Sequence, residues 1–190
     1  MANFSTTDDS GFLALVDPDG YESFVAAEWT FPLLEAHFRT QMAQRRLLIW
    51  RTAMGNIWEV EVVVENTEID GMREVVGPIR ATRGRLLLTS LDSLSMAAQF
   101  PDVTLPESHE VGQLLAVPVG TYSCRIVQRY DTRQEAELPD DYIGPDFLIE
   151  IAAAGNEPAP VWAEIPWLES YWLEDTGADK PHTGCDNETT

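Results

Sequence analysis

Apolar and polar positions along this chain follow mostly a period of two. In "IWEVEVVVE" (57–65), Trp58, Val60, Val62 and Val64 fall on one side, with Glu59, Glu61 and Glu65 mostly on the other, the pattern of a half-buried strand. "FLALV" (12–16), "LLIWR" (47–51), "REVVG" and "PIRA" (73–81), "RLLLTS" (85–90), two runs within "QLLAVPVGTYSCRIVQ" (113–128) and "DFLIEIAAA" (146–154) also read as strands. "DPDG" (17–20) reads as the start of a first hairpin, and Gly84 as the turn between two strands of a meander, because Pro fixes φ and Gly tolerates positive φ. The helical period is clear once. From Thr30 as cap, Leu34, Phe38 and Met42 recur every four residues, with Pro32 tolerated in the first turn. "LDSLSMAAQF" (91–100) fits neither period and stays open between helix and strand. About eight to ten short strands with one helix in the N-terminal half predict a mainly β protein. An antiparallel β-sandwich or open barrel is expected, because a single sheet of this size would leave one apolar face wet.

With 190 residues and 44% apolar residues, the chain can bury one sizeable core. One β-rich domain over residues 1–173 and a disordered acidic tail over 174–190 are expected. Before the tail, "EPAPVWAEIPWLESYW" carries Trp162, Trp167 and Trp172 among three prolines, as a segment laid across the domain with its rings tucked down would.

Charge narrows the function classes. The formal net charge is −20, and residues 135–190 hold 14 acids against one base. Such a field repels phosphate backbones and anionic lipid, and it draws in cations. Neither nucleic acid nor a membrane is an expected direct partner; a basic protein is. "MANFSTTDDS" has no basic start or long apolar run, and Cys124 and Cys185 make no disulfide framework, so a cytoplasmic location is expected. Oligomeric state is not readable from the chain.

No nucleophile elbow, phosphate loop, dinucleotide fingerprint or Cys-x-x-Cys pair is present, so neither a cofactor nor a catalytic constellation is expected. "LPESHE" (105–110) sets His109 between Glu107 and Glu110, yet no second histidine stands at metal spacing, and no metal site is expected. His37 lies beside the helical stripe and His182 in the tail. One alternative remains: a small-molecule binder or enzyme whose aromatic-lined pocket holds His109, Glu107, Glu110 and Tyr122, with Trp50 and Trp58 nearby. Two basic concentrations, Arg39, Arg45 and Arg46, and Arg80, Arg83 and Arg85, should pair internally in so acidic a chain; otherwise they offer a site for an anion or an acidic partner. The long acidic loop 130–146 is the favoured interaction surface. Tyr130 and Tyr142 stand near its ends, with Glu135, Glu137, Asp140, Asp141 and Asp146 along it, and aromatic rings with carboxylates suit a basic surface.

Residues 78–152 resemble the competence protein J family, small β-sandwich proteins that inhibit a DNA-degrading nuclease. The likeness is carried by the Gly84 turn, by Pro118-Val119-Gly120-Thr121-Tyr122 leading into a strand with Cys124, and by the closing strand from Phe147 to Ile151. The resemblance implies a sandwich that inhibits or neutralises a basic nuclease or toxin. Charge leads to the same class, since carboxylates can occupy a cationic cleft built for phosphates.

Overall fold

A computed structural model describes residues 1–64, 69–131, 144–155 and 159–168. These residues build nine strands: β1 (Ala2–Asp8), β2 (Phe12–Val16), β3 (Leu47–Arg51), β4 (Asn56–Val63), β5 (Arg73–Ala81), β6 (Arg85–Ser90), β7 (Leu114–Ala116), β8 (Gly120–Gln128) and β9 (Phe147–Ala153). They form a five-stranded sheet in the order β1-β4-β9-β8-β5 and a four-stranded sheet in the order β3-β2-β6-β7. The expected mainly β, two-sheet architecture is what the chain adopts. Strand pairing is antiparallel except between β4 and β9, which run parallel, with Val60 opposite Phe147.

The alternation in β4 buries Trp58, Val60 and Val62 and turns Glu59 outward. β2, β3 and most of β6 are buried on both faces. Such continuous apolar runs need two covering layers. The five-stranded sheet supplies one; α1 (Phe31–Ala43) and α2 (Leu91–Gln99), which contact β2, β3 and β6, supply the other. Residues 91–99 are thus helical, a second helix beyond the one expected, and they bury Leu91, Leu94, Ala97 and Ala98.

The hairpin and the meander are not formed. β5 and β6 belong to different sheets, so the Gly84 turn, with φ at +77°, is a corner between layers. The Asp17 carboxylate holds that corner by accepting from the Thr82 amide at 3.2 Å and from the Thr82 hydroxyl. After the "DPDG" turn the chain does not return as a strand; Val25 and Ala26 donate their amides to the Ala98 carbonyl on α2 instead. Three apolar leucines in a row on β6 explain the outcome, because a half-exposed hairpin would leave one face of Leu86, Leu87 and Leu88 wet.

One open side of the sandwich, between edge strands β3 and β5, is closed by the tryptophan segment. The Trp162 indole donates to the Val76 carbonyl at 2.7 Å and lies over Gly77, where a Cβ would meet the ring at 2.6 Å. The Arg51 amide donates to the Pro166 carbonyl, and the Arg73 guanidinium sits 4.1 Å from the Trp167 ring centre. Trp172 and the expected tail lie outside the described residues.

α1 ends in a hydrogen-bonded reversal. The Arg45 amide donates to the Met42 carbonyl and the Arg46 amide to the Gln41 carbonyl, while Arg45 takes the left-handed φ of 60°. This is the Schellman arrangement, with arginine where glycine is the usual residue.

Candidate partner face and the pocket at His109

Asp146 and Tyr130 meet at the foot of the acidic loop. Antiparallel pairing of β8 with β9 brings Gln128 opposite Phe147, so the residues just outside both strands converge. The Tyr130 hydroxyl donates to Asp146 Oδ1, the Glu59 amide donates to Asp146 Oδ2 at 2.7 Å, and the Asp146 amide returns a bond to the Glu59 carbonyl at 2.8 Å. Asp146 Oδ2 thus fastens the end of the loop to β4, while Oδ1 ties it to Tyr130 at the loop's start. Glu135, Glu137, Asp140, Asp141 and Tyr142 lie in residues 132–143, outside the described residues.

Beside this clasp, the outer face of the five-stranded sheet carries a groove of about 360 Å³ lined by Asn3, Glu59, Glu61, Gly144 and Pro145. Glu59 and Glu61 stand outward because period two sends Trp58 and Val60 inward. By sequence pattern alone these glutamates are the solvated side of a strand. Their position beside the loop follows from the parallel β4–β9 pair, for which local patterning carries no signal.

His109 and Glu110 line a second cavity, of about 240 Å³, between β1 and the 3₁₀ segment Ser108–Gln113. Its other lining residues are mostly Ser and Thr: Ser5, Thr6 and Thr7 from β1, Ser90 from β6 and Ser93 from α2. The aromatic lining expected near His109 is not there, because Trp50 and Trp58 are fully buried in the core. Tyr122 is likewise a core residue of β8, its hydroxyl donating to the Pro118 carbonyl at 2.5 Å, and it does not line this cavity.

Glu107 and Glu110 form a capping box. Glu107 accepts from the Glu110 amide, and the Glu107 amide donates to Glu110 Oε2 at 3.0 Å. Glu110 Oε1 accepts the Thr89 hydroxyl. The buried Glu110 carboxylate thus ties the 3₁₀ segment to β6, and the exposed His109 imidazole has no hydrogen-bond partner among the described residues. No three His, Cys, Asp or Glu side chains converge as metal ligands would among the described residues.

Other buried carboxylates act as staples. Asp8 Oδ1 accepts from the Ser10 and Gly11 amides, and Oδ2 accepts from the Thr52 hydroxyl at 2.9 Å and the Trp58 indole at 3.3 Å. Burial nevertheless holds the Asp8 carboxyl above the usual carboxylate value, the bonds opposing it. Asp19 goes the other way: its bidentate pair with Arg85, at 2.7 and 2.8 Å, lowers it.

The arginine clusters divide. Arg39 pairs with Glu35, Arg46 with Glu22 and Arg85 with Asp19, as internal pairing predicts. Arg45, Arg80 and Arg83 form no ion pair among the described residues. Among those residues, no helix is long and apolar enough to cross a membrane.

No protein-family model and no curated protein matches this chain. Solved structures do. A structure described as "Crocagin biosynthetic gene J" is 17% identical, with a TM-score of 0.51, over 80% of this chain and 99% of that one. ComJ from Bacillus subtilis, described as an inhibitor of the DNA degrading activity of NucA, is 9% identical, with a TM-score of 0.47, over 81% of this chain and 96% of that one. At 17% identity, what this chain shares with the first of these structures is the fold alone.

Proposed function

We propose that this protein is a non-enzymatic binding module that docks a basic protein surface on its acidic corner, and that it acts as an inhibitor or immunity-type partner. The observation that carries this reading is the clasp of Asp146 to the Glu59 backbone, beside outward Glu59 and Glu61. It anchors one end of a loop rich in carboxylates against a strand that presents its own. Preorganised carboxylates meet less ordering cost on binding, and they mimic the charge that a cationic cleft is built to receive. Nuclease inhibition is described for the ComJ protein; for this chain it is the specific form of the proposal, and charge supports it.

The test is binding and inhibition against basic nucleases from the same cell, with the unaltered protein and with a Glu59→Gln, Glu61→Gln, Glu135→Gln, Glu137→Gln variant. Nanomolar to micromolar association that weakens at least about tenfold in the variant and falls with salt supports the reading. Inhibition untouched by the four neutralisations, or no association with any basic protein, overturns it.

A second reading, a small polar ligand beside His109, has the hydroxyl-lined cavity in its favour. With both Glu110 oxygens engaged, such a site would bind rather than catalyse.

A further inference from the structure

We infer that the groove between Arg45 and Arg80 is a binding site for the phosphate group of a small molecule. The groove has a volume of about 260 Å³ and is lined by Ala43, Gln44, Arg45, Arg80 and Thr121, with no acidic residue among them. In a chain with 32 acids and 12 bases, two arginines sharing one groove without a carboxylate among the described residues run against composition. Their neighbours in sequence, Arg46 and Arg85, do find carboxylates.

Three features build the site. Cross-strand register sets Arg80 opposite Thr121, on the outer face of the five-stranded sheet, so a guanidinium and a hydroxyl stand side by side. The Arg80 amide donates to the Arg45 carbonyl at 2.8 Å, which locks the end of α1 to the β5 edge and brings the second guanidinium to the groove. Arg45 also occupies the left-handed position of the helix-ending reversal, where glycine would relieve backbone strain. Arginine at that position accepts the backbone strain while its guanidinium lines the groove. The negative end of the helix dipole does not dominate here, because the carbonyls of Thr40, Gln41 and Met42 are already taken by the amides of Gln44, Arg46 and Arg45.

The donor set selects the ligand. Two guanidiniums, a hydroxyl and an amide side chain offer hydrogen bonds from several directions, as a tetrahedral phosphate requires. A polymer of phosphates would meet the field of a chain carrying a net charge of −20, which leaves a small ligand. The groove is also remote from the acidic corner: Thr121 and Gln128 lie at opposite ends of β8, roughly 23 Å apart at a rise of ~3.3 Å per residue.

The test is isothermal titration calorimetry of the full-length protein with inorganic phosphate and with pyrophosphate at low ionic strength. Saturable binding of at least one probe is expected. Arg45→Gly and Arg80→Ala should each weaken it by about tenfold or more, and Arg83→Ala, an exposed arginine outside the groove, by less than about twofold. Arg45→Gly should melt at the same temperature or higher, since glycine suits the left-handed position, so loss of binding there cannot be assigned to unfolding. No saturable binding of either probe by the unaltered protein, or equal weakening by Arg83→Ala, overturns the inference. So does binding of a single-stranded oligonucleotide when neither probe binds.

Discussion

Asp146 and Glu59 hold each other through two backbone-directed hydrogen bonds, the Glu59 amide to the Asp146 carboxylate at 2.7 Å and the Asp146 amide to the Glu59 carbonyl at 2.8 Å. The pair joins two segments far apart in sequence and sets where the acidic loop leaves the sheet. Asp146→Ala removes the acceptor for both the Glu59 amide and the Tyr130 hydroxyl. The expected loss is about 1–2 kcal/mol in urea denaturation, at the lower end for charged hydrogen bonds because the Glu59 contact is exposed. Asp146→Asn keeps one acceptor and should lose less.

Gly77 is required by the indole above it. A Cβ there would lie 2.6 Å from the Trp162 ring and 2.7 Å from a Leu48 methyl, with neither free to move far inside a closed edge. Gly77→Ala should cost about 1–3 kcal/mol and shift tryptophan fluorescence to the red as the segment lifts. Trp162→Phe, which loses only the bond to the Val76 carbonyl and some area, should cost less than Trp162→Ala.

Glu110 and His109 of "LPESHE" divide by burial. Glu110→Ala leaves the Thr89 hydroxyl and the Glu107 amide without their acceptor, and should cost about 1–3 kcal/mol in chemical denaturation. His109→Ala should change stability by no more than about 0.5 kcal/mol, because the ring is exposed and makes no hydrogen bond among the described residues. Equal costs for the two variants would contradict the capping role of Glu110.

His37 makes stability pH-dependent near neutrality. Its ring packs against Tyr21, with centroids 5.6 Å apart, and burial lowers its pKa from 6.5 despite a hydrogen bond to the Glu22 backbone and the Glu22 charge. The folded state therefore binds this proton less readily than the unfolded state. Its contribution to stability is full above the unfolded value of 6.5 and is lost as pH falls from there through the lowered folded value. Urea midpoints should drop between about pH 7.5 and 5.5, and His37→Leu should flatten that slope.

Local patterning was enough for most of the elements, though not for β1 or for α2. Alternation at Trp58, Val60 and Val62, the four-residue repeat of Leu34, Phe38 and Met42, and the Gly84 turn were legible because each reflects the geometry of a short stretch of backbone. Tertiary structure alone decided which strands are neighbours. Leu86, Leu87 and Leu88 read as a strand, but their burial on both faces depends on helices elsewhere in the chain. The parallel β4–β9 pair that sets Glu59 beside Asp146, the Glu110 bond that separates the "LPESHE" glutamates from His109, and the meeting of Arg45 with Arg80 are equally nonlocal. A period is a property of neighbouring residues, whereas a site forms where layers stack and registers align, and those are chosen by the core as a whole.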